Sequence, residues 1–146
     1  MTYAITTTVD IDAGTGAVWD VLVDFAAYGE WSNFSSAEGT ARTGTRLTMR
    51  MPGGFSFRPT VTVAAPGREL QWSGTLVSRR LFHGRHSFVL VARPDGTTHL
   101  TNHEEFSGAL VTLLQRFMRN SDDNGYTAFN AGLKRQVEGR ADRDLR

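Results

Sequence analysis

The chain has 146 residues, 40% of them hydrophobic and 21% charged, with a formal net charge of +1. This is enough for one domain with a real core, and the balanced charge gives no general reason to expect nucleic acid or an anionic membrane as partner. The absence of cysteine excludes disulfides, thiolate metal sites and cysteine nucleophiles.

The N-terminal MTYAITTTVDID has no basic region followed by an apolar run, so no signal peptide is expected. No stretch approaches the length of a transmembrane helix, and a cytoplasmic location is expected. Tyr3, Ile5, Thr7, Val9 and Ile11 alternate with smaller or polar residues, which predicts a first strand over 2–11. Val18, Trp19 and Leu22 share one helical face within 14–23, with Asp12 or Thr15 as candidate cap. A second short helix is expected over 25–30. Trp31-Ser32-Asn33-Phe34 follows as a loop carrying two large aromatics.

Six more strands are predicted, at 36–42, 44–51, 55–65, 69–77, 82–92 and 97–106. Their turns agree in parity. Pro52-Gly53-Gly54 sets Met51 against Phe55, Met49 against Phe57 and Leu47 against Pro59. Pro66-Gly67 sets Val63 against Leu70, Val61 against Trp72 and Pro59 against Gly74. A three-residue loop around Arg79-Arg80 would set Leu76 against Gly84, Gly74 against His86 and Trp72 against Phe88. Arg93-Pro94-Asp95-Gly96-Thr97 has the chemistry of a hairpin loop closed by a glycine bulge. It pairs Leu90 with Leu100, Phe88 with Asn102, His86 with Glu104 and Gly84 with Phe106. Side chains alternate along a strand, so these residues share one face. All the hairpins place large apolar residues on that face, which is what one continuous curved antiparallel sheet requires.

From Ala109 the period becomes helical. Leu110, Leu113, Leu114, Phe117, Met118, Phe129, Leu133 and Val137 form a stripe. A continuous helix from 109 to a stop at Gly139 would be about 45 Å long, with a kink at Ser121-Asp122-Asp123-Asn124-Gly125. Residues 139–146 are expected to fray.

The sharpest candidates for chemistry are His86 and Glu104. A facing imidazole and carboxylate, with Gly74 leaving room beside them, can bind a hydroxyl or carbonyl, or transfer a proton. They can equally be a structural pair that ties two strands. Asn102 on the same face would extend the polar cluster. Trp31, Phe34, Phe55, Phe57, Trp72 and Phe88 are aromatics on or near the inner face, where they serve as core, as pocket lining, or as both. The candidate lining also takes in Met49 and Phe106, with Leu110, Leu114, Phe117 and Met118 as a lid from the helix. His99 and His103 lie on the opposite strand face, about 13 Å apart at strand rise, and do not converge on a metal. Arg46, Arg50, Arg79 and Arg80 read as solvated surface. No nucleophile elbow, P-loop or dinucleotide glycine motif is present, and no cofactor is expected.

The order of these elements is that of a helix-grip fold. The chain resembles the START-like (SRPBCC) superfamily, in its polyketide cyclase/dehydrase-type branch. The matching residues are Val18-Trp19, Tyr28-x-x-Trp31-x-x-Phe34, Gly44-x-Arg46-Leu47, Glu69-Leu70-x-Trp72-x-Gly74, His86-x-Phe88, Glu104-x-Phe106-x-Gly108 and Phe129-Asn130-x-x-Leu133-Lys134. They span nearly the whole chain. One departure is Ser32-Asn33-Phe34, where the branch often carries an Asn-Pro pair. The resemblance implies one α+β domain, a seven-stranded antiparallel sheet wrapped around a long C-terminal helix, with two short helices between strands 1 and 2. It also implies a cavity for a lipid, polyketide or other hydrophobic small molecule between sheet and helix. Three readings follow. The domain binds such a molecule, or it is a cyclase, aromatase or dehydratase using His86 and Glu104, or it is a filled structural or protein-interaction domain.

Overall fold

A computed structural model describes residues 2–118 and 125–144, with the side chains of Leu114, Phe117 and Met118 left undescribed. Strand β1 (Thr2–Ile11) leads into helix α1 (Thr15–Leu22), a 3-10 turn (Phe25–Ala27) and a short helix α2 (Tyr28–Trp31). Strands β2 (Ser36–Glu38), β3 (Thr48–Arg50), β4 (Ser56–Phe57), β5 (Thr60–Ala65), β6 (Glu69–Leu76), β7 (Phe82–Ala92) and β8 (Thr98–Ser107) follow. Helices α3 (Val111–Met118) and α4 (Tyr126–Asp144) close the described chain.

The strands form two antiparallel sheets, β1-β8-β7-β6-β5 and β2-β3-β4. This corrects the expected single seven-stranded sheet. The predicted strand 55–65 divides into β4 and β5 at Arg58-Pro59. Proline has no N–H for a ladder, although the Pro59 carbonyl still accepts from Leu47 N at 2.8 Å. An isolated bridge between Arg46 and Thr60 links the two sheets. Predicted strands 36–42 and 44–51 shorten to β2 and β3.

The β7–β8 register is as the turn predicts, with His86 opposite Glu104 and Gly84 opposite Phe106. The loop closes through Arg93 N to Thr97 O at 2.9 Å, and Gly96 takes a φ of +87°. The β3–β4 pairing of Met49 with Phe57 also follows its turn. Between β5 and β6 a bulge shifts the register, so Val61 faces Trp72 as expected but Ala64, not Val63, faces Leu70. Between β6 and β7 the expected pairing is displaced by two residues. Gly74 faces Gly84, and His86 faces Trp72 rather than Gly74. The loop there includes Val77 at φ +66°, and its Ser78 O accepts from both Leu81 N and Phe82 N at 3.0 Å. It therefore closes wider than three residues. A displacement of two keeps every side chain on its face.

Helix α1 begins at Gly14 with no side-chain cap, so neither Asp12 nor Thr15 caps it. Helix α4 lies against β1, α1 and α2. Gly132 brings it close to α2, since a Cβ there would stand 2.2 Å from the Trp31 carbonyl oxygen. Helix α4 continues through Gly139, expected as its stop, to Asp144. Ser121 to Asn124, where a kink is expected, lie outside the described residues. The core is one cluster, including Leu22, Phe25, Tyr28, Leu70, Phe88, Leu100, Phe129 and Leu133.

Candidate functional site

The inner face of β7 and β8 carries a chain of polar side chains anchored by α4. Tyr126 and Asn130 are one helical turn apart, so both face the sheet with Phe129 beside them. Tyr126 OH donates to Glu104 Oε2. The same oxygen lies 3.3 Å from His86 Nδ1. On the other side of the ring, His86 Nε2 contacts Asn102 Oδ1 at 2.6 Å. Asn102 Nδ2 donates to Asn130 Oδ1 at 2.9 Å, and Asn130 Nδ2 donates to Thr7 Oγ1 at 2.9 Å. The chain thus ties β1, β8, β7 and α4 together.

Its members are largely withdrawn from water, with Asn102 fully buried and His86 8% exposed. Burial and the Glu104 carboxylate push the Tyr126 phenol far above its ordinary value, so it remains a donor. His86 is held by rings as well, stacked on Phe88 at 4.5 Å and tilted against Trp72 at 5.2 Å.

Two lobes of open space meet at this polar centre. A lobe of about 260 Å³ faces α4 and is lined by Asn33, Phe34, Asn102, Tyr126 and Phe129 among others. A second, of about 300 Å³, faces the sheet and is lined by Trp72, Gly74, Phe82, Gly84 and Arg58 among others. Phe55, Phe57, His86, Glu104 and Phe106 border both. Gly74 and Gly84, side by side on neighbouring strands, make the floor of the second lobe. A Cβ at Gly84 would stand 3.4 Å from the Phe106 ring and 3.8 Å from Glu104 Oε1.

The structure sorts the candidates of the sequence. Phe34, Phe57, Trp72, Gly74, His86, Asn102, Glu104 and Phe106 border the open space. Trp31, Met49, Phe88 and Leu110 do not line either lobe. Met49 and Phe88 are fully buried core. Trp31 packs against Tyr28 and Phe129 with centroids 4.9 and 5.0 Å away. Phe55 stands 65% exposed at the β3–β4 turn, at the mouth of both lobes rather than inside. The side chains of Leu114, Phe117 and Met118 are outside the described ones. Tyr126, Asn130 and Gly84 escaped the sequence reading as site residues. The available signal was Tyr126 and Asn130 at helical spacing beside Phe129 and Leu133.

His99 and His103 face outward as expected. His99 Nδ1 lies 2.8 Å from Asp10 Oδ1, and His103 Nδ1 lies 2.7 Å from Thr6 Oγ1. No cluster able to hold a metal occurs among the described residues. No described helix is long and apolar enough to cross a membrane.

Similar folds occur in solved structures. A Mesorhizobium loti protein is 20% identical, with a TM-score of 0.74 over 94% of this chain and 98% of that one. The Streptomyces aromatase/cyclase Zhui is 14% identical, with a TM-score of 0.74 over 97% and 96%. Norcoclaurine synthase from Thalictrum flavum, in complex with dopamine and hydroxybenzaldehyde, is 12% identical, with a TM-score of 0.72 over 95% and 88%. At these identities the likeness concerns the fold. No curated protein matches in sequence. Residues 2–138 match the family described as polyketide cyclase/dehydrase and lipid transport, and the chain belongs to that family.

Proposed function

We propose that this domain binds a hydrophobic or amphipathic small molecule in the two-lobed cavity, with Glu104 and His86 as its polar contact. The observation that carries this reading is the space itself. Lobes of about 260 and 300 Å³ meet at a carboxylate-imidazole pair under aromatic walls. Small-molecule sites combine a mostly apolar lining with a few placed polar groups. A filled interaction domain would not keep two facing glycines on its inner face.

The test is uptake of a fluorescent hydrophobic probe, alongside native mass spectrometry for a molecule that co-purifies. Gly84→Leu would project a side chain into the second lobe and is expected to lower probe affinity at least about tenfold, the loss that matches ~1.4 kcal/mol of binding. Binding equal to the parent protein would remove the cavity from consideration.

A second reading, proton transfer in a cyclase or dehydratase, draws on one feature. Glu104 turns one oxygen to the cavity while His86 and Tyr126 back the other. A carboxylate so placed can exchange a proton with a bound molecule. Loss of turnover with binding retained in Glu104→Gln would support it. Turnover unchanged in that variant would exclude it.

A further inference from the structure

The exposed apolar side chains of the domain are unevenly placed. Among the described residues, the large hydrophobics that stand exposed are Phe55, Leu76, Val77, Val91 and Leu113. Val91 lies at the Ala92 end of β7. The others gather at the opposite end, around the mouth of the cavity. Phe55 and Leu76 border the second lobe. Val77 follows Leu76 in the β6–β7 loop. That loop is tied to the segment leading into α3, through Ala109 N to Arg80 O and Leu110 N to Leu81 O, each at 2.9 Å. Leu113 comes one helical turn later.

Val77 is the outlier of this group. It is 87% exposed and takes a φ of +66°. A β-branched residue is disfavoured in that conformation, and glycine or asparagine suits it better. So exposed a side chain adds nothing to the core, and the fold gains little from a valine here. A disfavoured backbone carrying an exposed apolar side chain points to a contact outside the chain. The tip is also held in shape in advance, since Ser78 N donates to Leu76 O at 2.8 Å and Leu81 N to Ser78 O at 3.0 Å. Little ordering entropy is then lost on contact.

Charge follows the same distribution. Arg79 and Arg80 continue the tip, and Arg58 stands at the edge of the second lobe, all of them exposed. Arg116 is exposed on the Leu113 face of α3. Burial, and then the charges of Arg79 and Arg85, hold the His83 imidazole beside them below its ordinary value. The acidic side chains on the strands at this end are engaged, Glu105 with Arg85 at 3.6 Å and Glu104 with Tyr126 in the cavity wall. A net charge of +1 over the whole chain therefore coexists with a positive pole at the cavity mouth.

We infer that this end of the domain docks on an anionic phospholipid surface, with Leu76 and Val77 entering the headgroup boundary and Arg79 and Arg80 on the phosphates. A bilayer yields to a protruding apolar side chain, and flanking guanidinium groups pair with phosphate oxygens. A second copy of the chain would instead bring two arginine tips together, against like-charge repulsion. Docking in this orientation turns the cavity mouth toward the lipid. The contact itself does not depend on what the cavity holds.

The test is co-flotation of the purified full chain with vesicles of phosphatidylcholine alone, and of phosphatidylcholine and phosphatidylglycerol in equal parts. Binding at least about tenfold tighter to the mixed vesicles is expected at low salt, falling as salt rises. Arg79→Ala together with Arg80→Ala should weaken it about 25-fold, at about fivefold for each arginine near an anionic surface. Removing the same charge at the far end, with Arg68→Ala and Arg93→Ala, should change it less than about twofold. Val77→Asn should weaken binding about fivefold while the thermal midpoint holds or rises, because asparagine tolerates the left-handed backbone. Val77, Arg79 and Arg80 line neither lobe, so uptake of the fluorescent probe should stay at the parent level in all these variants, which separates this inference from the cavity reading. Equal binding to the two kinds of vesicle, or equal losses from the two arginine pairs, would overturn the oriented dock. So would a lowered midpoint in Val77→Asn, since the valine would then serve the fold. Absence of vesicle binding, with a dimer in sedimentation that Val77→Asn dissociates, would give the tip to a second copy instead. The comparison of vesicles with the parent chain needs no variant and decides the question by itself.

Discussion

The inner face of the sheet is solid at one end and hollow at the other. Toward Leu90 and Leu100 it is packed by the α1–α2 segment and by α4, with Leu70, Phe88 and Leu100 all fully buried. Phe25 meets Tyr28 edge-on at 5.2 Å and Trp72 at 6.3 Å, and Phe88 lies 5.3 Å from Phe129. Toward Gly84 and Phe106 the same face has two glycines side by side, and the nearby residues stand open, with Phe55 65% and Leu76 57% exposed. Aromatic content does not separate the two ends, since both are rich in rings. What separates them is that at the solid end large side chains of the α1–α2 segment and of α4 fill the face, whereas at the open end the face carries Gly74 and Gly84. Where side chains fill the face, the rings interlock; where glycines leave it bare, the rings of Phe55 and Phe57 become walls.

The largest consequence of this division concerns stability. Phe25→Ala at the solid end should cost about 3–5 kcal/mol by urea denaturation, whereas Phe55→Ala at the open rim should cost under about 0.5 kcal/mol and weaken probe uptake instead. Equal destabilisation by the two would erase the distinction. At the boundary, Asn102→Leu keeps the branched shape but strands His86 Nε2 and Asn130 Oδ1. A loss of about 1–3 kcal/mol is expected, and a neutral result would mean that the polar chain contributes little to the fold.

A smaller effect separates the two ends by pH. Burial raises the phenols of both Tyr28, at the solid end, and Tyr126, at the open end, above the ordinary value of 10.0. A raised folded value means that the stability is fully present below pH 10 and is lost as pH rises beyond it, because only the unfolded chain ionises there. The slope for each phenol rises from about 0.7 kcal/mol per pH unit at pH 10 toward about 1.4 above pH 11. Tyr126→Phe should halve the alkaline slope measured between pH 10 and 11. A slope unchanged in that variant would show Tyr126 ionising freely in the folded protein.

Legibility in the sequence varied with the kind of information each element needed. The β7–β8 register was readable because Pro94, Asp95 and Gly96 define one loop length. The β6–β7 register was not, because nothing in Val77-Ser78-Arg79-Arg80 announces that Val77 adopts φ +66°. The faces survived this miss because a slip of two preserves parity, so His86 and Gly74 stay on one face while Gly84 replaces His86 opposite Gly74. Pro59 did announce the split of the predicted strand 55–65, and its missing N–H was the overlooked signal. Tyr126 and Asn130 depend on how α4 is rotated about its axis over the sheet. An apolar stripe gives that rotation only coarsely, so two polar residues at its margin could not be assigned to the inside.

The two amides between His86 and Thr7 form a relay with a direction. Each gives through its nitrogen and takes through its oxygen, so the order in which they point records which ring nitrogen of His86 carries a proton. If Nε2 lost its proton, Asn102 Oδ1 would face a bare lone pair. Both amides would then have to turn over, and Thr7 would change from acceptor to donor. The protonation state at the cavity is thereby written into the hydroxyl of an outer strand, beyond the reach of any ligand.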